Sequence, residues 1–133
     1  MDFWFSTDAI AMQDTLKRFM NRHVLPANRG WHRLAEGGIY PLDVIESLKN
    51  LAKEAGLWNM FLPLLGDGEP GTRMSNLDYV AIAEIMGRVP WTSEAFNCNA
   101  PDTGNMELLH MFATSEQREC WLKSRNAFCR RVG

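Results

Sequence analysis

The 133-residue sequence predicts an all-α domain, and three observations support that prediction. Apolar residues recur at three- and four-residue steps, the period of a helix that packs one face against a core. Serine, threonine and proline stand where helices begin, and glycine stands where they end. No run alternates apolar and polar residues with the β-branched enrichment that is typical of strands.

The amino-terminal part predicts one long helix followed by irregular chain. Ser6 or Thr7 caps this helix, and its apolar stripe continues as far as Val24. Pro26 is expected to stop it, because proline lacks the backbone N–H that a helix interior needs. Residues 27–40 are then expected to contain at most a short helical turn.

The middle of the chain predicts two further helices separated by a long loop. The first begins at Pro41 and ends at Gly56, which is placed to adopt a left-handed conformation. Lys49 falls on the predicted solvated face of this helix. Residues 57–74 predict the loop, and Ser75 opens the next helix.

The last third predicts shorter helices. Residues 92–100 and 101–112 have a helical pattern with interruptions at Pro101 and Gly104. Thr114, with a glutamine three residues later, forms a capping box that predicts a last helix.

Composition excludes several classes of protein. Hydrophobic residues make up 46% of the chain, which argues against disorder, and the net charge of −2 gives no field for nucleic acid. No segment approaches the roughly 20 apolar residues needed to cross a bilayer, and no secretory signal is visible. The odd cysteine count predicts reduced thiols and an intracellular, cytoplasmic setting, with the mitochondrion and the peroxisome left open.

Motifs for chemistry are sparse, and no catalytic, metal or cofactor residue is predicted from spacing alone. The three histidines lack a second ligand at metal spacing. Residues 65–71 form a glycine-rich turn without the Gly-Lys-Ser/Thr ending of a phosphate loop. Asp102, Glu116 and Glu119 stand at predicted helix starts, where capping explains an acid, and Glu107 has no assigned role.

Large apolar residues also stand outside the predicted helices. One cluster is residues 3–5 and the other is Trp58, Met60 and Phe61. Such residues mark either a partner surface or part of the core. We expect an exposed apolar face that promotes self-association, formed by the 58–61 loop and by the helix that carries Met106, Leu109 and Phe112.

One stretch resembles a known family. The run Ala100-Pro101-Asp102-Thr103-Gly104-Asn105-Met106, with Thr114-x-x-Gln117 and Trp121-Leu122, is similar to one branch of the flavin-dependent acyl-CoA dehydrogenases. This branch contains the long multi-domain animal members and their bacterial counterparts. The resemblance extends from about Asp14 to Leu122 and implies the amino-terminal helical-bundle domain of that family.

The resemblance implies a parent that oxidises an acyl-CoA to its 2-enoyl form with FAD. By motif position, Asn99, Thr103 and Gly104 would face the acyl tunnel, where short side chains leave room for substrate. The alternative is that Gly104 only permits close helix packing. A non-catalytic helical interaction module is the other functional class that fits.

The end of the chain departs from the family pattern. Residues 1–122 are expected to form the helical domain, and residues 123–133 form a divergent basic tail where the flavin-binding β domain would begin. The expectation is therefore a truncated chain that binds no FAD and has no activity alone.

Overall fold

The computed structural model describes residues 4–62, 65 and 71–123, which fall into two compact units. Unit 1 ends at Cys98 and unit 2 begins at Asn99. Helices account for the regular structure throughout the described ranges, which contain no strand, as the sequence predicts. None of the helices in these ranges is both long and apolar enough to cross a membrane.

Unit 1 begins with one continuous helical rod rather than a helix that stops at Pro26. Helix α1 (Thr7–Phe19) passes into a first π turn (Met20–Val24), which passes into helix α2 (Leu25–Glu36). Pro26 lies in the first turn of α2, where a proline lacks no needed hydrogen bond. The prediction of an irregular segment after Pro26 was wrong. In the first π turn the backbone hydrogen bonds join residues five positions apart instead of four, and this change just before Pro26 lets the helix continue.

Helix α3 (Leu42–Glu54) follows, with Pro41 at its N-cap. Gly56 has a φ of +70°, so the predicted left-handed helix end is confirmed. The backbone N–H of Leu57 donates to the Ala52 carbonyl oxygen at 2.8 Å, which closes the end of the helix.

Lys49 of α3 corrects the prediction of a solvated face. Its side chain is only 3% exposed. Its Nζ lies 3.0 Å from Glu46 Oε1 on the same helix and 3.7 Å from Glu94 Oε1. A buried ammonium requires opposite charges, so this cluster links α3 to the segment that carries Glu94.

Helices α4 (Asn76–Gly87) and α5 (Thr92–Ala95) complete unit 1. Helix α1 packs on α4, and α5 packs on both α3 and α4. The core between them contains the fully buried side chains Leu16, Val24, Ile45, Leu57, Met60, Ile82 and Phe96.

The loop after α3 is part of this core, not of an exposed apolar face. Trp58, Met60 and Phe61 are all buried. The residue between them, Asn59, has a φ of +54°, and its N–H donates to the Phe96 carbonyl oxygen at 3.1 Å. This left-handed residue bends the loop inward, a change of direction that apolar spacing does not report.

Unit 2 contains helix α6 (Asp102–Phe112), a single turn α7 (Ser115–Gln117) and a second π turn (Arg118–Lys123). Gly104 does not interrupt α6, contrary to the sequence prediction. The predicted capping box is present, because Gln117 N donates to Thr114 Oγ1 and Thr114 N donates to Gln117 Oε1. Most of the predicted basic tail lies outside the described residues.

Candidate functional site

The segment just before the family motif ends unit 1, at a turn held by two asparagines. Asn97 has a φ of +55°, and its Nδ2 donates to Asn59 Oδ1 at 2.6 Å in a buried position. Asparagine tolerates the left-handed conformation better than most residues and supplies a donor and an acceptor in the same side chain. The pair therefore fixes residues 96–98 against the inward-bent 58–61 loop.

Cys98 is the last residue of unit 1 and is not a reactive thiol. Burial raises its pKa to about 11, although the Tyr79 hydroxyl and the backbone N–H groups of Met60 and Phe61 partly oppose this. Burial together with Cys98 also raises the pKa of Tyr79 well above its ordinary value. Both groups are neutral at physiological pH, so neither serves as a nucleophile or base there.

The motif itself, residues 100–106, forms the first turns of α6 and the two residues before them, in unit 2. The Ala100–Pro101 peptide bond is cis, and Pro101 occupies the N-cap position. Thr103 N donates to the Asn99 carbonyl oxygen at 3.2 Å, and Asn105 N donates to the Pro101 carbonyl oxygen at 3.3 Å. Within unit 2, these bonds join residues 99–101 directly to the first turn of α6.

The three predicted tunnel residues do not share one environment. Asn99 and Thr103 are half-buried, whereas Gly104 is exposed. Thr103 lies on the same face of α6 as Met106 and His110. Gly104 is the next residue, so its position is rotated by about 100° around the helix axis from Thr103. A Cβ added to Gly104 would meet no described atom within 4 Å, so close packing against the described residues does not explain the glycine.

A groove on another face of α6 was missed as a site by the sequence analysis. It has a volume of about 640 Å³ and is lined by Asn105, Leu108, Leu109, Phe112, Ala113, Gln117 and Trp121. The available signal was the Leu108–Phe112 spacing of four residues, which places both side chains on one face. Phe112 is exposed, as expected. Met106 is buried, so the expectation that it belongs to an exposed apolar face was wrong.

Three of the four acids near the motif lie in the first turn of a helical segment. The Glu116 carboxylate has a pKa below its ordinary value, chiefly because its own backbone N–H and then Thr114 donate to it at the start of α7. Asp102 lies in the first turn of α6, and Glu119 in the first turn of the second π turn. Glu107 is exposed on α6. This arrangement favours the capping role over a general base, which needs a raised pKa.

The described part of the chain contains no cluster of three His, Cys, Asp or Glu side chains that could hold a metal ion. A flavin needs an apolar slot for its ring beside donors for its pyrophosphate. The α6 groove has the apolar wall but no lining cation, so this groove does not fit FAD.

Comparison with known proteins identifies the family. The model of the "Acyl-CoA dehydrogenase, N-terminal domain" matches residues 6–125. "Acyl-CoA dehydrogenase family member 11" of Gallus gallus is 43% identical over 114 residues, which are 81% of this chain and 14% of that protein. "Probable acyl-CoA dehydrogenase FadE2" of Mycobacterium tuberculosis is 44% identical over 131 residues, covering 92% of this chain and 30% of that protein.

A solved structure agrees with these relatives. A Mycobacterium abscessus protein described as a "putative acyl-CoA dehydrogenase" superposes with a TM-score of 0.74 and 36% identity, over 91% of this chain and 32% of that one. The chain thus spans a third or less of the length of each relative named here. With its all-helical fold and its matched residues 6–125, the chain belongs to the acyl-CoA dehydrogenase N-terminal domain family.

Proposed function

We propose that this chain is the amino-terminal helical domain of a flavin-dependent acyl-CoA dehydrogenase. The parent reaction is the α,β-dehydrogenation of an acyl-CoA with FAD as the hydride acceptor. Family membership supports this proposal, and so does the name of each relative. Taken alone, the 133-residue chain is proposed to bind no FAD and to be inactive, because its described residues offer neither a flavin site nor a positioned base.

Within this function, α6 and the loop before it would form part of the wall of the acyl tunnel, through Asn99 in the loop and Thr103 and Gly104 in the helix. The single observation that carries this assignment is the open space beside Gly104, where no described atom lies within 4 Å of a Cβ position. A helix surface without side-chain bulk can accept an acyl chain alongside it. Thr103, half-buried one residue earlier, would limit the room beside it.

A chimera tests the assignment. Residues 1–122 would replace the matching segment of the Mycobacterium tuberculosis relative, and acyl-CoA oxidation would be followed with an artificial electron acceptor over a series of chain lengths. We expect Gly104→Leu to raise KM for long acyl chains by about tenfold, a cost of about 1.4 kcal/mol, with little change for short ones.

Gly30→Leu is the matched control, because Gly30 is also helical and also has no atom within 4 Å of a Cβ position. It should leave the chain-length profile unchanged. A Gly104→Leu chimera with the parental profile would contradict a tunnel role for this position.

The alternative function is a non-catalytic interaction module that uses the α6 groove. Three large apolar side chains that line this groove are exposed: Leu108, Phe112 and Trp121. Exposed apolar clusters of this kind often mark protein contacts. We propose that this surface also drives self-association of the isolated chain. Two results together would favour this second function. The chimera would be inactive and contain no flavin, and its Phe112→Ser variant would lose binding to another protein.

A further inference from the structure

A basic stretch on the amino-terminal helical rod is not used by the proposed function. Residues 15–35 contain five Lys and Arg side chains and no Asp or Glu. Elsewhere the chain has nine basic and sixteen acidic residues. The five cations, all exposed, are Lys17, Arg18, Arg22, Arg29 and Arg33. A local excess of this size produces a positive surface on a protein of net negative charge.

Part of this charge lies around a shallow basin at the first π turn. Arg22 follows Arg18 by four positions and His23 follows it by five, so both lie about one helical turn from Arg18. The three side chains line a basin of about 550 Å³, with Thr15, Asn21 and Ala55 among the other lining residues. Phe19 forms its floor and packs against the His23 ring at 4.9 Å between centroids.

No described acid lines the basin, and the neighbouring Asp14 carboxylate lies 3.6 Å from Lys17 Nζ. Among the described residues, no carboxylate lies within 4 Å of the Arg18 or Arg22 guanidinium, and Arg18 Nη2 donates only to Thr15 Oγ1 at 3.1 Å. The carboxyl end of α3 reaches the basin at Ala55. A helix end contributes roughly half a negative charge, which two arginines outweigh.

We propose that this basin is a binding site for a phosphate group. Guanidinium groups match phosphate geometry and bind it through paired, charge-assisted hydrogen bonds. The Asn21 amide adds a neutral donor at the same surface. The phosphate belongs either to a soluble phosphorylated ligand or to a lipid headgroup, since both present the same oxygens.

The test is a titration of the 133-residue chain with inorganic pyrophosphate, followed by calorimetry and by backbone amide chemical shifts. Saturable binding is expected, with the largest shifts at residues 15–23. The Arg18→Gln/Arg22→Gln variant should bind at least about tenfold more weakly, because it removes both charge-assisted donors. Circular dichroism would confirm that the variant keeps its helical content.

Arg29→Gln/Arg33→Gln is the matched control, since it removes the same charge from the same acid-free stretch but outside the basin. It should weaken binding by less than about twofold at physiological salt, where distant charges are screened. Equal losses in both variants, or no saturable binding at all, would overturn the proposal.

Vesicles identify the source of the phosphate. Phosphatidylcholine vesicles with and without phosphatidylglycerol would be sedimented with each protein. Phosphatidylglycerol-dependent binding that the Arg18/Arg22 variant loses would assign the site to a lipid headgroup. Pyrophosphate binding without vesicle binding would assign it to a soluble ligand. Vesicle binding without pyrophosphate binding, or vesicle binding equally weakened by the Arg29/Arg33 variant, would contradict a phosphate site in the basin.

Discussion

The carboxylate of Asp78 accepts two hydrogen bonds from Ser6, a residue 72 positions earlier in the chain. Ser6 N donates to Oδ1 at 2.9 Å, and Ser6 Oγ donates to Oδ2 at 3.0 Å. Ser6 is the N-cap of α1, and Asp78 lies in the first turn of α4, whose N-cap is Ser75. One carboxylate therefore ties the starts of two packed helices together.

Replacing Asp78 with asparagine should lower the free energy of unfolding by about 1–2 kcal/mol, as expected for a lost cap and charged acceptor. Urea unfolding measures the change. Asp8→Asn is the control, because Asp8 is an exposed acid in the first turn of α1 and should cost less than about 0.5 kcal/mol. Equal losses in the two variants would show that the Ser6 contact adds no stability.

The same contact predicts a pH dependence. The pKa of Asp78 lies below its ordinary value of 3.8, first because the Ser6 backbone N–H donates to its charged form. Its stabilising effect is then fully present above pH 3.8 and is lost as the pH falls through the lower folded-state pKa. Urea midpoints of the parent and of Asp78→Asn should converge in that acid range. A constant difference down to complete protonation would contradict the assignment.

The buried Asn59–Asn97 pair predicts an order among substitutions of Asn97. Asn97→Ala loses the amide and must hold a left-handed conformation that costs roughly 1–2 kcal/mol for a residue with a Cβ. Asn97→Gly also loses the amide, but glycine adopts the left-handed conformation without strain. Its additional cost is the smaller loss of backbone conformational entropy on folding. Thermal unfolding should therefore rank the parent first, then Gly, then Ala. Alanine above glycine would show that left-handed geometry is unimportant here.

Flavin binding is expected to be absent in the chain alone. Titrating the protein into FAD should leave flavin fluorescence unchanged, because the α6 groove has no lining cation for the pyrophosphate, and the basin of Arg18 and Arg22 has only Phe19 and Ala55 as apolar lining for the flavin ring. A full-length relative that binds FAD would serve as the positive control. Saturable quenching at micromolar protein would overturn this prediction.

Self-association should depend on the α6 groove and not on the 58–61 loop. Phe112 is 73% exposed, so Phe112→Ser should reduce association in light scattering over a concentration series with little loss of stability. Phe61 is buried, so Phe61→Ser should lower the free energy of unfolding by about 3–5 kcal/mol. Association unaffected by Phe112→Ser would place the contact elsewhere.

The sequence by itself determined the local events of this fold. Ser75 caps α4, Thr114 and Gln117 form the capping box, and Gly56 ends α3 in a left-handed conformation. Each of these depends on one residue and its neighbours within about four positions, so residue type and spacing suffice to predict it. The all-α class follows from the same short-range periodicity.

Only the tertiary structure decided the features that depend on distant partners. Lys49 is buried because Glu94, 45 positions away in sequence, lies beside it. The 58–61 loop turns inward because Asn59 meets Phe96 and Asn97. The basin of Arg18 and Arg22 lies beside Ala55 at the end of α3, a neighbour more than 30 positions away in sequence, so only the folded chain brings these residues together. The spacing of apolar residues reports which face of a helix is buried. It does not report which distant residue will contact a given side chain in the folded chain.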